Sequence, residues 1–559
     1  MLKKYFPIIL IILNACQSTP RVRGPIGEKM MVVTAHPDAT QIGLDVLKRG
    51  GNAYDAAIAT QFALAVAYPI AGNVGGGGFL VYRKFNGETG ALDFREKAPA
   101  AAHRDMFLDS AGNIVPGLST SSHLASGVPG SVDGMWEAHK KLGSLPFKDL
   151  VQPAIDLAER GVILTEREAS NLNAYAESFK SGNLFKTHFL KEGSWKKGDT
   201  LFHRDLANVL KRIAERGRDG FYTGETADLI VAEMKRGGGI ITHEDLKSYH
   251  SVWREPIKGQ YKNYTIISMP PPSSGGIALV QLLKMVEPYN IKGYGWNSAS
   301  AVHLMAEAER RVYADRATHL GDPDYYNVPQ QNLLDKEYLK NRMRSFQTGA
   351  ATPSERIKAG VFKKAESEET THFSIVDRWG NAASITTTIN DNYGSKVMVE
   401  GAGFLLNNEM DDFSARPGTP NIFGLVGGVA NQVEPHKRML SSMTPTIVEK
   451  WGKLYMVVGT PGGATIITSV FQTILNVIEH DMTMQEAVAA KRFHHQWLPD
   501  QITIEEGALE PDVLKELEEK GHKIATRSRI GSVEGILVLP DGKLEGGADP
   551  RGDSKAAGE

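Results

Sequence analysis

The sequence predicts an α/β (α+β) protein in which stacked β-sheets lie between helical layers. Three observations carry that expectation. Residues 370–390 read as a hairpin, because Thr, Ile and Val crowd both arms around a turn at Arg378-Trp379-Gly380-Asn381. Apolar positions recur at helical spacing through much of the first half, as in 37–48 and 301–316. Beyond residue 370, strand-like segments alternate with covering helices at 466–480 and 511–520. At 559 residues the chain exceeds the size at which one core stops growing, so two lobes or a large multilayer domain are expected.

The bulk chemistry is that of an ordinary globular protein, with 41% apolar and 23% charged residues. Lys and Arg number 63 against 65 Asp and Glu, which leaves no basic surplus for nucleic acid. A single cysteine excludes an internal disulfide. The 16 histidines include no His-Glu-x-x-His and no other metal-ligand spacing, so no metal or cofactor is expected.

Taken in order, the chain opens with Lys3-Lys4 and an apolar run at 6–13, too short to span a bilayer but right for a signal segment. The run ends at Leu13-Asn14-Ala15-Cys16, which resembles a bacterial lipobox with Cys16 lipidated and the protein held on the periplasmic side of a membrane. Residues 17–29, with Pro20, Gly24, Pro25 and Gly27, read as a tether. A helix at 37–48 stops at Gly50-Gly51, and the alanine-rich helix at 53–67 is apolar all round and therefore buried. Gly75-Gly76-Gly77-Gly78 lacks the Lys-Ser/Thr of a phosphate loop and reads instead as close backbone packing at the mouth of a strand. Asp93-Phe94-Arg95-Glu96 ends a strand; on its own, Arg95 reads as a surface ion pair with Glu96 or Asp93. Helices dominate 130–312, and Pro270 to Gly276 form a rigid loop before another apolar helix. The polar stretch 347–369 is a solvated connection, the kind of segment most readily cut.

If Asp377 pairs with Asn381, the hairpin register sets Thr370 opposite Thr388. A threonine hydroxyl is a poor nucleophile without a base beside it. Were the chain cut before Thr370, the new α-amine, with an ordinary pKa of about 8, would supply that base within the same residue. Alone, Thr370-Thr371 read as ordinary strand residues. Likewise Gly462-Gly463, between a strand at 453–459 and an apolar helix, could serve a tight turn or free its N–H groups for an oxyanion.

The motifs Asp93-Phe94-Arg95-Glu96, Thr370-Thr371-His372, Thr388-Ile389-Asn390, Asn407 to Ser414, Leu440 to Thr446 and Gly459 to Gly463 occur in one fixed order. Together they closely resemble the γ-glutamyltranspeptidases (glutathione hydrolases), a family of N-terminal nucleophile hydrolases, from about Met31 to Asp549-Pro550-Arg551. The resemblance implies a four-layer αββα sandwich with mainly antiparallel sheets and a large helical portion before the cut. It also implies self-cleavage between Glu369 and Thr370 into a large subunit (30–369) and a small one (370–559), which stay together as a heterodimer. By the same resemblance Thr370 is the nucleophile, Thr388 helps activate it, and Gly462 and Gly463 form the oxyanion hole. Arg95 grips the substrate α-carboxylate with Ser441 and Ser442, while Glu409, Asp412 and Asn390 hold the α-amine. The implied substrates are glutathione and other γ-glutamyl compounds, with water or an amino acid or peptide amine as acceptor. Phe423 stands in the matching lid segment (416–428) where tyrosine is frequent, which implies a changed balance of hydrolysis and transfer. Two rivals are a glutaryl-cephalosporin type acylase, which needs no pair of acids for an α-ammonium, and a non-catalytic, lipid-anchored protein of the same fold.

Overall fold

A computed structural model describes residues 21–360, 371–416, 419–422, 424–425 and 428–559. Two seven-stranded sheets, antiparallel throughout, lie face to face. One is built around the hairpin Thr371–Val376 and Ala382–Thr388, flanked by Met31–Thr34 and Gly77–Arg83; the other has Thr446–Lys450 and Lys453–Gly459 at its centre.

Strand periodicity divides the side chains between three apolar layers. Met31, Val33, Phe79 and Val81 meet Ile267, Val457 and Ile536 between the sheets. Val32, Leu80, Phe373 and Ile385 turn the other way, onto the helices Ala53–Ala67 and Phe147–Arg160. Val448, Met456 and Val458 pack on Gly275–Val286, Ala299–His319 and Thr465–Ile478. The result is helix, sheet, sheet, helix, the αββα order expected. Every residue of Ala53–Ala67 is buried, and Asn52 and Asp55 close its N-terminus as a reciprocal capping box. Thr371–Val376 is buried on both faces: Phe373 and Ile375 face the helices, while Ser374, bonded to His372, donates to the Glu534 carbonyl of the second sheet at 3.1 Å.

Two expectations change. Residues 21–29 lie against the body: Ile26–Gly27 adds an edge strand beside Leu544 and Glu545, and Arg23 pairs with Glu545 at 3.2 Å. Within the polar connection before residue 361, Ser354 and Ile357 are buried, and Ala351 donates to the Lys520 carbonyl at 2.7 Å, so that part is packed. The signal segment with Cys16, the lid residue Phe423, and Glu369 and Thr370 lie outside the described residues.

Candidate active site

The site gathers at one end of the sandwich, where the two central hairpin arms begin and finish. Thr371 pairs with Thr387 and Val376 with Ala382, the register that follows from Asp377 and Asn381. The turn fixes it: Asp377 N–H donates to the Asn381 carbonyl at 3.1 Å, and the Asp377 carboxylate accepts from Trp379, Asn381 and Ala53. Because register is set there, the other end of the hairpin is placed to within one residue.

At that end Thr388 pairs with Gly77 of the neighbouring strand. Its hydroxyl accepts from the Asn390 N–H at 2.8 Å, which helps hold Asn390 at φ 70°, and Asn390 Nδ2 donates to the Asn408 carbonyl at 2.9 Å. The Asn390 side-chain oxygen has no hydrogen-bond partner among the described residues. The glycine run lets the backbone approach closely, as expected. A Cβ on Gly76 would lie 1.9 Å from the Thr388 carbonyl, and one on Gly77 2.5 Å from Glu96 Oε2. Gly77 thus brings the Thr388 end of the hairpin against the charged cluster.

That cluster centres on Arg95, which is not on the surface. It is fully buried, with Glu96, Glu409 and Asp412 equally enclosed. Its two terminal nitrogens donate to Glu409 and to Asp412, while Nε and one terminal nitrogen reach the Met439 and Leu440 carbonyls at 3.4 and 3.1 Å. Arg95 keeps a long ion pair with Glu96 at 3.7 Å, but its close contacts go to residues more than 300 positions downstream. One cation facing three buried carboxyls leaves a surplus of negative charge. Burial pushes the carboxyls of Glu96 and Glu409 upward, against the pull of Arg95.

Leu440, whose carbonyl binds Arg95, runs straight into Ser441-Ser442. That segment is pinned by Ser274, whose N–H and hydroxyl both donate to the Ser441 carbonyl at 2.6 and 2.7 Å. Arg316 donates to the Ser442 hydroxyl at 2.5 Å and to Ser274 Oγ at 2.8 Å. Opposite, Lys453–Gly459 runs into Thr460-Pro461-Gly462-Gly463 and then the helix Thr465–Ile478. Gly462 and Gly463 have φ values of 135° and 61°, a backbone that L side chains resist. Gly459 also lacks a side chain for a reason: a Cβ there would lie 2.4 Å from the His372 ring, so the glycine turn is drawn in beside the strand of Thr371. His372 is buried and neutral, its pKa lowered to about 3 by burial, and its ring spans Thr386 and Ser374 at 2.9 and 3.0 Å.

The structure therefore joins Arg95, Glu409, Asp412, Asn390, Thr388 and the Ser441-Ser442 segment, and sets the Gly462-Gly463 turn next to the same hairpin. A cavity of about 220 Å³ is lined by Asp412 and by Asn421, Ile422 and Leu425 of the expected lid segment. Asp411 links this segment to the opposite wall, accepting from Ser119 at 2.6 Å and from the Ile422 N–H at 3.2 Å.

Sequence reading missed the supports. Asn73 donates to the Thr388 carbonyl at 2.8 Å and accepts from Gly76 and Ser131. Behind Arg95, Asp93 accepts from the Arg95 N–H at 3.0 Å and pairs with Arg254 and Arg438 at 2.8 and 3.3 Å. Only Asp93 lay inside a recognised motif. One buried group, His303, Glu307 and His522, has metal-type proximity. Its carboxylate is already taken by Arg310, Arg311 and Thr352, and His303 Nδ1 bonds His522 Nε2 at 2.7 Å, so the donors satisfy one another.

Comparison with known proteins agrees with this geometry. The family model described as Gamma-glutamyltranspeptidase matches residues 39–559. The glutathione hydrolase proenzyme of Escherichia coli (strain K12) is 51% identical over 523 residues, covering 93% of this chain and 90% of that protein. Among solved structures, a cephalosporin acylase from Bacillus halodurans superposes with a TM-score of 0.85 at 27% identity, covering 98% of this chain and 99% of that one. The Helicobacter pylori γ-glutamyltranspeptidase gives 0.59 at 46% identity, covering 61% of this chain and 97% of that one. The chain belongs to the γ-glutamyltranspeptidase family.

Proposed function

We propose that this chain is a self-processing γ-glutamyltransferase and glutathione hydrolase. The observation that carries the reading is the buried set of Arg95 with Glu409 and Asp412 at the end of the hairpin. A γ-glutamyl group ends in one carboxylate and one ammonium. Its carboxylate can take the Arg95 fork from the two acids, which then hold the ammonium, so opposite charges exchange partners without leaving a buried charge alone.

Processing comes first. Thr370 Oγ attacks the Glu369 carbonyl, the peptide C–N bond breaks, and the acyl group passes from nitrogen to oxygen. Water hydrolyses the ester, leaving the Glu369 carboxylate and a free Thr370 with its own α-amine. In turnover that amine takes the hydroxyl proton as Oγ attacks the γ-amide carbon. The Gly462 and Gly463 N–H groups stabilise the oxyanion, and the proton passes to the departing amine. Water, or an amino acid or peptide amine, then attacks the γ-glutamyl ester and restores Thr370. On this reading the products are a large and a small subunit held together by the sheet pairing of Thr371–Val376 with Met31–Thr34.

The test compares a γ-glutamyl anilide with a glutaryl anilide, which lacks the α-ammonium. A strong preference for the γ-glutamyl compound is expected; equal or reversed preference would assign the site to the acylase chemistry named for the Bacillus halodurans relative. The export reading is a separate proposal. Cys16, at the end of the signal segment 1–16, is lipidated; radiolabelled palmitate failing to enter the protein, or entering a Cys16→Ala variant equally well, would refute it. Phe423 lacks the hydroxyl of a lid tyrosine, and Phe423→Tyr should shift the ratio of transfer to hydrolysis; an unchanged ratio would contradict that role.

A further inference from the structure

All strands that reach the site do so at one end of the sandwich, where Gly77, Asp93, Thr371, Thr388, Thr446 and Gly459 lie. The hairpin turns at 84–88, 262–263, 377–381, 451–452 and 539–543 occupy the opposite end. Gly77–Arg83 spans 7 residues, so at about 3.3 Å per residue the two ends are about 20 Å apart.

The three most exposed aromatic side chains among the described residues sit on these turns: Trp451 at 75%, Phe85 at 67% and Trp379 at 50%. Hydrogen bonds tie the turns together. Phe85 N–H donates to Asn381 Oδ1 at 2.8 Å, and Arg83 bridges the sheets to the Gly452 carbonyl at 2.9 Å. Cations stand among the rings. Lys450 Nζ is 5.0 Å from the Trp451 centroid, and the Arg378 guanidinium is 5.8 Å from that of Trp379. Of the nearby acids Glu88 pairs with Lys84 and Glu449 with Arg83; among the described residues Asp541 on the 539–543 turn accepts only from the Lys543 N–H, and Arg378, Lys450 and Lys453 form no ion pair.

Near this end Gly27 pairs with Leu544 beside the 539–543 turn, the chain before it runs along Leu544–Ala548, and the Arg21 side chain reaches back. Helix Thr465–Ile478 starts beside Gly462-Gly463 and carries the chain about 20 Å to Glu479, at about 1.5 Å per residue. There Lys262, on the 262–263 turn, pairs with Glu479 at 2.5 Å, and Arg21 donates to the Asp481 carbonyl. Cys16 precedes Arg21 by five residues, which reach at most about 18 Å.

We propose that this turn face docks on an anionic lipid surface. Trp451, Phe85 and Trp379 enter the headgroup region, Arg378, Lys450 and Lys453 meet lipid phosphates, and the active-site end points away from the bilayer. Aromatic rings flanked by unpaired cations suit an interface that is apolar within and anionic at its edge.

The exported, self-processed protein and its Cys16→Ala form are floated with phosphatidylethanolamine–phosphatidylglycerol vesicles and with phosphatidylcholine vesicles. The Cys16→Ala protein should still float with the anionic vesicles, at least about tenfold better than with the neutral ones at low salt. Phe85→Ser/Trp379→Ser/Trp451→Ser in that background should abolish flotation. Arg378→Glu/Lys450→Glu/Lys453→Glu should weaken it about tenfold. Unchanged γ-glutamyl hydrolysis and Tm identify folded variants, and the charge variant serves alone if the serine variant misfolds. Failure of the Cys16→Ala protein to float, or equal flotation of both surface variants, would overturn the proposal. Self-association through this face without lipid binding would overturn it in favour of a second copy. Palmitate labelling reports on the anchor independently, so an unlabelled protein that still floats removes the anchor alone and supports the docking face.

Discussion

Replacing Arg95 by lysine keeps the charge and removes the geometry. The guanidinium donates to Glu409, Asp412 and the Met439 and Leu440 carbonyls, four acceptors around one planar fork. An ammonium has three donors converging on a point and cannot serve both carboxylates and both carbonyls. For the bound substrate, one of the two hydrogen bonds to its α-carboxylate is lost. A charge-assisted bond of this kind contributes about 1.5–3 kcal/mol, so kcat/KM on a γ-glutamyl anilide should fall about 10- to 150-fold. The carboxylate is far from the bond being broken and is held alike in ground and transition states, so the loss should appear mainly in KM. In the empty enzyme one of Glu409 and Asp412 loses a partner. Deleting the charge outright would cost about 3–5 kcal/mol; lysine, which retains it, should lower Tm by less than Arg95→Met does. Steady-state kinetics with thermal melts of both variants check this. A folded Arg95→Lys protein with near-normal kcat/KM would show that Arg95 does not hold the carboxylate.

Three further outcomes follow from the same geometry. Asp412→Asn removes one acid facing the substrate ammonium and should lower the γ-glutamyl over glutaryl preference by about tenfold, the worth of one charge-assisted bond; an unchanged ratio of kcat/KM values would remove Asp412 from that role. Gly462→Ala places a Cβ 2.6 Å from Thr465 Oγ1 at a φ of 135°, and displacing that N–H should cut kcat about 10²–10³-fold with little change in KM; a kcat within threefold of wild type would argue against an oxyanion role. His372 titrates at about 3 in the fold and at about 6.5 unfolded, so the unfolded chain binds the extra proton. Its contribution is fully present above about pH 6.5 and is lost as pH falls toward 3, at up to about 1.4 kcal/mol per pH unit. In urea unfolding, the stability advantage of wild type over His372→Gln should therefore shrink from pH 7 to pH 5; a constant gap would mean His372 is not held neutral.

What could be read in the chain was local. The turn residues Asp377 and Asn381 set a register that the pairing of Thr371 with Thr387 matches, because a tight turn determines every later pair. The apolar run 53–67 announced a fully buried helix, and the four glycines announced backbone contact that no Cβ permits. The charge cluster was not legible in this way. Arg95 sits one residue from Glu96 and two from Asp93, so proximity in sequence favours them, yet its acids lie 314 and 317 positions away. Only the fold decides that Glu96 stays 3.7 Å off while Glu409 and Asp412 close on the fork. The supports were less legible still: Asn73, Arg254 and Arg438 look like surface polar residues until sheet and helices enclose them. For the site, motif order supplied what periodicity could not.

The central claim is that Thr370 becomes an N-terminal nucleophile, and intact mass tests it most directly. The protein freed of its signal segment is compared with a Thr370→Ala variant on prolonged incubation. The account predicts two wild-type fragments, the smaller beginning at Thr370, and one uncut chain for the variant. A wild-type chain that stays whole would remove the base from the mechanism and leave a binding protein of this fold in its place.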